Sequence, residues 1–266
     1  MLSNPWEKWV LVVPILGTLL LLNGAALAEP APTGVVARAE QLFACVEKRF
    51  DALQTLQYTV ERNTQSARHT MQERWQFRFR QPDNIRIDYQ QPQDRVILVT
   101  SSNLVEYLPA VRKAMRTNLA LMKSTERLQR VGGVLARVSV DGLRVGDTRA
   151  MLGRVRQVRQ DEQQAGAWWM EGEGPRFRVL IDAKRQVVLT TELWDARGDI
   201  KLRTTAEDFV EATPDQWFPQ RLTAVYGTAE GTVTSTMRLS AIRVNASMDP
   251  TLFEFVPDKK VAVLER

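Results

Sequence analysis

The feature that most constrains this chain is a period of two running through most of its length. In Met71 to Arg80, apolar Trp75, Phe77 and Phe79 alternate with Arg74, Gln76, Arg78 and Arg80. Successive strand residues face opposite sides of a sheet, so this segment is a strand with one aromatic and one basic face. Ile85, Ile87 and Tyr89 repeat the pattern against Arg86, Asp88 and Gln90, and Gln81-Pro82-Asp83-Asn84 supplies the turn of a hairpin. Strands at Arg95 to Thr100 and Asn103 to Leu108 continue a meander. Beyond Gly153 the rhythm resumes at Gly153 to Arg159, Ala167 to Glu173, Phe177 to Asp182, Val187 to Trp194, Ile200 to Val210, Pro219 to Tyr226 and Thr232 to Val244. Glycine- and aspartate-rich turns separate these strands. About eleven consecutive antiparallel strands without crossover helices predict a strongly curved sheet, one that curls into a barrel or part of one. The fold class is therefore α+β and mainly antiparallel β.

Two stretches break the period. Val35, Ala39, Leu42, Val46, Phe50 and Leu53 recur at steps of three and four, with Arg38, Glu40, Glu47, Lys48 and Asp51 on the other side. That spacing predicts an amphipathic helix, capped by Thr33, packing on something large. Between Lys113 and Met151, Leu121, Leu128, Val131, Leu135 and Val138 are mostly three to four apart around Gly132-Gly133. One or two short helices inserted in the sheet are expected there, with the glycine pair as a break or hinge. Together the helices cover the apolar inner face.

The N-terminus has Lys8, an apolar run from Trp9 to Leu22 interrupted by Pro14 and Gly17, and Ala26 and Ala28 before Glu29. This is the order of a cleavable secretory signal, too short for a membrane-spanning helix. Residues 1–28 are thus expected to be removed, leaving 29–266 as a single domain that works outside the cytoplasm. Cys45 does not resemble a lipidation site, because Arg38 and Glu40 separate it from the apolar run and bulky Phe43 precedes it; it reads as a small buried hydrophobe.

One histidine and one cysteine in 266 residues offer no metal-ligand cluster and no Cys-His pair. His69 lies in a polar hairpin tip, and no nucleophile elbow, Walker loop or H-E-x-x-H is present. The chain is expected not to be an enzyme and to need no cofactor. Its net charge of +5 is carried mostly by strand arginines and reads as a solvated face, with no nucleic-acid partner.

The block Trp75 to Tyr89, the segments Val96 to Pro109 and Asp249 to Pro257, the N-terminal helix and the leader together resemble the periplasmic lipoprotein-carrier (LolA-like) family of outer-membrane lipoprotein-sorting proteins. The resemblance implies an unclosed half β-barrel with helices over a concave apolar cavity for acyl chains. It also implies an inner-membrane exporter and an outer-membrane acceptor as partners of a monomeric carrier. The expected cavity residues are Trp75, Phe77, Phe79, Ile85, Ile87, Tyr89, Leu98 and Tyr107; the expected lid is Leu121, Leu128, Val131, Gly132, Gly133 and Leu135. Family members often carry arginine directly before the proline of the strand-end turn, where it reaches the lid. Here Gln81 takes that place, so Arg80 and Arg86 are the expected lid contacts, and the cargo stays open between lipoproteins and other lipids. The same fold also serves sensors that act on an anti-sigma factor; those usually add a C-terminal domain, whereas only the short tail Lys259 to Arg266 lies beyond the closing Asp249 to Pro257 segment here. N-terminal sequencing of the exported protein should return a start near Glu29, and a chain still beginning at Met1 would contradict the signal reading.

Overall fold

The computed structural model describes residues 33–127, 130–131, 152–173, 176–228 and 231–266. Helix α1 (Thr33–Asp51) leads into one sheet of fourteen strands. These are β1 (Thr55–Gln65), β2 (Thr70–Arg80), β3 (Asn84–Gln91), β4 (Arg95–Val99), β5 (Asn103–Leu108), β6 (Lys113–Asn118), β7 (Val155–Gln160), β8 (Ala167–Gly172), β9 (Phe177–Asp182), β10 (Val187–Trp194), β11 (Ile200–Thr213), β12 (Gln216–Thr228), β13 (Gly231–Val244) and β14 (Ala262–Glu265).

In space the order is β14-β6-β5-β4-β3-β2-β1-β13-β12-β11-β10-β9-β8-β7. Every pairing is antiparallel except β14 on β6, and β14 and β7 remain as edges, so the sheet is unclosed. The long-range pairing of β1 with β13 joins two meanders, β1 to β6 and β7 to β13, into one surface. Register shifts at Gln57/Thr59 and Glu211/Thr213, with positive φ at Asp208 and Ala241, mark irregularities that bend the long strands.

The expected strand count of about eleven was low, and two strands account for much of the difference. Lys113–Asn118, expected to open the helical insertion, is strand β6, and the C-terminal tail adds β14. Both lack the aromatic and β-branched alternation that marks β2 and β3; β14 is also short and takes its place by lying beside β6, through backbone bonds such as Arg266 N–H to the Arg116 carbonyl at 2.9 Å. Residues 124–127 begin a helix, where Arg127 N–H donates to the Lys123 carbonyl at 2.9 Å. The signal segment 1–28 and the expected lid residues Leu128, Gly132, Gly133 and Leu135 lie outside the described residues.

The helix stripe matches its expected spacing. Ala39, Leu42, Val46, Phe50 and Leu53 are buried, joined by partly buried Val35 and Cys45. Burial pushes the Cys45 thiol pKa up, and its Sγ donates to the Leu42 carbonyl at 2.9 Å, an inert packed thiol. Arg49 lies on the same buried side and donates to the Trp217 carbonyl, with its guanidinium 4.6 Å from the Phe50 ring centre and 5.1 Å from that of Phe218. It ties the helix to the start of β12 through a flat cation that stacks on both rings. Arg38 does the same at the other end, 4.2 Å over Trp168.

The link between α1 and β1 is held mainly by the Asn245 side chain, with Gln81 Nε2 donating to the Asp51 carbonyl at 3.0 Å. Asn245, at a φ of 52°, accepts from the backbone N–H of Gln54 at 2.7 Å and of Thr55 at 3.3 Å, and donates to the Ala52 carbonyl at 3.2 Å. Asparagine tolerates this left-handed backbone better than alanine does. Asn245→Ala should therefore lower stability by about 1–2 kcal/mol, a fall in Tm of roughly 3–7 °C for a domain this size, read by thermal denaturation. Asn245→Gly keeps the backbone and loses only the hydrogen bonds, so it should fall less; equal or no loss in both would contradict the role.

Candidate functional site: the inner face of the sheet

Strand register sorts the inner face into rows across the sheet. The first, nearest the α1–β1 link, runs Val244, Leu56, Phe79, Ile85, Val99, Leu104 and Thr117. The next holds Tyr58, Phe77, Ile87, Ile97 and Glu106, with the Tyr58 and Phe77 rings stacked at 4.7 Å. A third holds Leu239, Val60, Trp75, Tyr89 and Arg95, and a fourth Leu222, Met237, Arg62 and Glu73. The last crosses Ala224, Ser235, Thr64 and Met71, where the Thr64 and Ser235 hydroxyls meet at 3.1 Å. The first row is free of charge; Glu106 and Arg95 lie at the side of the second and third rows, Arg62 and Glu73 in the fourth, and the last row is small and uncharged.

The charges on this face come as two ion pairs. Arg62 Nε donates to Glu73 Oε2 at 2.6 Å, with only 11% and 10% of the two side chains exposed. Arg95 Nη2 donates to Glu106 Oε2 at 2.9 Å. The two pairs flank a pair of rings, with the Arg62 guanidinium 5.0 Å from the Trp75 ring centre, Arg95 5.5 Å from that of Tyr89, and the two rings 5.6 Å apart. Tyr226 lies close enough to feel both members of the buried pair: burial raises its pKa, Arg62 lowers it and Glu73 raises it. Leaving one partner of a buried pair unmatched costs about 3–5 kcal/mol, so the Arg62–Glu73 geometry stands as a unit.

Of the residues expected to line a cavity, Trp75, Phe77, Phe79, Ile85, Ile87 and Tyr89 are brought together on this face, in one cluster with the α1 stripe. Leu98 and Tyr107 are not. They lie on the opposite, outer face, packed with Val105 and Ala114 against Phe255, Val261 and Val263 from the C-terminal segment. The reason is local: β4, Arg-Val-Ile-Leu-Val, and β5, Asn-Leu-Val-Glu-Tyr-Leu, carry apolar residues on both sides, so alternation gives no facing there, and the outer cover comes from distant sequence. A groove of about 330 Å³ remains beside it, between Leu98, Val105 and Arg116 on the sheet and Phe253 to Phe255.

Arg80 and Arg86 also correct their expected role. Both extend on the outer face, one residue out of phase with Phe79 and Ile87. Arg86 donates to the Leu252 carbonyl at 2.8 Å and pairs with Asp88, while Arg80 helps hold the Asp249 carboxyl below its usual pKa, behind the larger effect of the Thr251 backbone N–H. Arg86 anchors the turn at Pro250–Phe253, and residues 124–127 reach the β2–β3 turn through Arg127 and Asp83 at 3.8 Å.

Leu121, expected in the lid, is 84% exposed in a 3-10 turn whose buried member is Leu119. Val131 packs against the main cluster, as do Met122 and Leu152. The residues that the sequence reading missed are Arg62, Glu73, Arg95, Glu106 and Tyr226. A signal for the first two was present, since Arg62 is in phase with Tyr58 and Val60, and Glu73 with Trp75 and Phe77.

No family model and no curated protein matches the sequence. Solved structures do match over most of both chains. A DUF1329 family protein from Desulfovibrio piger aligns with a TM-score of 0.54 at 11% identity, over 82% of this chain and 97% of its own. A putative outer membrane lipoprotein-sorting protein domain from Vibrio parahaemolyticus gives 0.51 at 13%, over 81% and 97%. A LolA superfamily protein from Nitrosomonas europaea gives 0.50 at 13%, again over 81% and 97%. At such identities the likeness establishes the fold, and the fold of this chain is LolA-like.

Proposed function

We propose that the protein is a periplasmic carrier that binds lipid, or the acyl chains of lipoproteins, on the inner face of its open sheet and delivers them toward the outer membrane. The observation that carries this reading is the inner face itself: contiguous rows of Leu56, Phe79 and Ile85, then Tyr58, Phe77 and Ile87, on a curved sheet with a free edge at each end. Each methylene buried there contributes about 0.8 kcal/mol, so a single acyl chain binds strongly to a surface of this kind. Trp75, Phe77 and Ile87 are all but closed to solvent, so a chain enters only when the cover over them moves, which couples loading and release to opening. The leader-like residues before Glu29 and the lipoprotein-sorting name of one structural relative support the same compartment and cargo class.

The chemistry of the face favours binding over catalysis. Its carboxylates are held in ion pairs, Glu73 with Arg62 and Glu106 with Arg95.

A fluorescent fatty acid titrated into the purified protein should be taken up, and phospholipid or lipopeptide should compete. Met237→Asp, on the inner face, should weaken uptake at least tenfold by placing a charge in the path of the chain, whereas Thr236→Asp, its outer-face neighbour, should leave uptake near wild type. Equal effects from the two substitutions, or no uptake by the wild type, would overturn the carrier reading.

A further inference from the structure

The inner face carries more charge than an acyl-chain surface needs. A hydrocarbon tail gains nothing from a carboxylate or a guanidinium, and burying them is costly unless something matches them. Yet Arg62–Glu73 and Arg95–Glu106 lie in phase with the apolar rows, on either side of Trp75 and Tyr89. The Trp75 indole N–H is buried without a hydrogen-bond acceptor among the described residues. Buried donors are rarely left so, and this one is a donor that a polar ligand on this face would satisfy.

We infer that this charged region of the inner face recognises the headgroup of a zwitterionic phospholipid, one whose phosphate is followed by a primary ammonium. The inference rests on the carrier reading and names its cargo. Each arginine on the face is matched by a glutamate, so the site is neutral and presents both signs a few ångströms apart. A phosphate suits the planar fork of Arg62, and an ammonium suits Glu73 together with the neighbouring aromatic faces. A headgroup of net negative charge meets the same arginine but sets its phosphate against Glu73 with no cation to offset it, so the glutamates exclude anionic lipids as much as they attract the zwitterion.

The placement of the rows fits a two-part ligand. Leu56 and Arg62 are six residues apart on β1, about 20 Å along an extended strand. A head held at Arg62–Glu73 therefore lays its tails along the apolar rows toward the α1–β1 link.

The test is displacement of the bound fluorescent fatty acid by dioleoyl phosphatidylethanolamine and by dioleoyl phosphatidylglycerol, which share tails and differ in head charge. The ethanolamine lipid should displace the probe at about tenfold lower concentration, since a like charge in a desolvated site is strongly disfavoured. Glu73→Gln, which keeps the size and removes the charge, should bring the two lipids within about twofold of each other. If the variant does not fold, the wild-type ratio still decides. Equal displacement by both lipids, or preference for the anionic one, would overturn the headgroup assignment while leaving the carrier reading intact, as would a tripalmitoyl lipopeptide that outcompetes both. Failure of the wild type to take up the fatty acid at all would remove both.

Discussion

Everything in this structure depends on a sheet that curves but does not close. Antiparallel pairing satisfies the backbone of each strand through its neighbours, and a closed barrel would need no further elements. An open one leaves an inner face of aromatic and branched side chains that must be covered. Helix α1 supplies part of that cover, and the arginines near its two ends fix where it lies by stacking on Trp168 of β8 and Phe218 of β12. The outer face is handled differently. The C-terminal segment folds back over Leu98, Val105 and Tyr107, and elsewhere ion pairs such as Arg178 and Arg203 with buried Glu192 span neighbouring strands.

This division of labour accounts for which features were legible in the sequence. Alternation in β2 and β3 is clean because one side is apolar and the other wet, so Trp75, Phe77, Ile87 and Tyr89 could be placed on one face without coordinates. The α1 stripe was equally plain, since Ala39, Leu42, Val46 and Phe50 keep helical spacing against a polar opposite side. Leu98 and Tyr107 were misplaced because β4 and β5 are covered on both sides, and the covering residues, Phe255, Val261 and Val263, are some 150 positions away. Strand β6 was hidden by composition: Lys113–Asn118 has no aromatic or β-branched pair to mark it, and it owes its state to β5 on one side and β14 on the other. Leu119 rather than Leu121 turns inward because a 3-10 turn, with three residues per turn, breaks the spacing on which a helical reading relied.

The charged region of the inner face is the most informative miss. Strand parity applied without regard to residue type puts Arg62 beside Val60 and Glu73 beside Trp75, on the apolar side. Apolar alternation searches for hydrophobic residues and passes over a charge that keeps the phase, although a charge in that position is the stronger hint of function. The result is a surface with two regions: hydrocarbon nearest the α1–β1 link and paired charges farther along and beside it, the two chemistries of an amphiphile.

The central claim is that cargo lies on the inner face, and photo-crosslinking tests it most directly. A phospholipid carrying a diazirine in one acyl chain, loaded and irradiated, should label peptides containing Phe77, Ile87, Tyr89 and Met237, as mapped by mass spectrometry. Labelling confined to the outer groove at Leu98, Phe253 and Phe255, or no labelling of the loaded protein, would contradict the account.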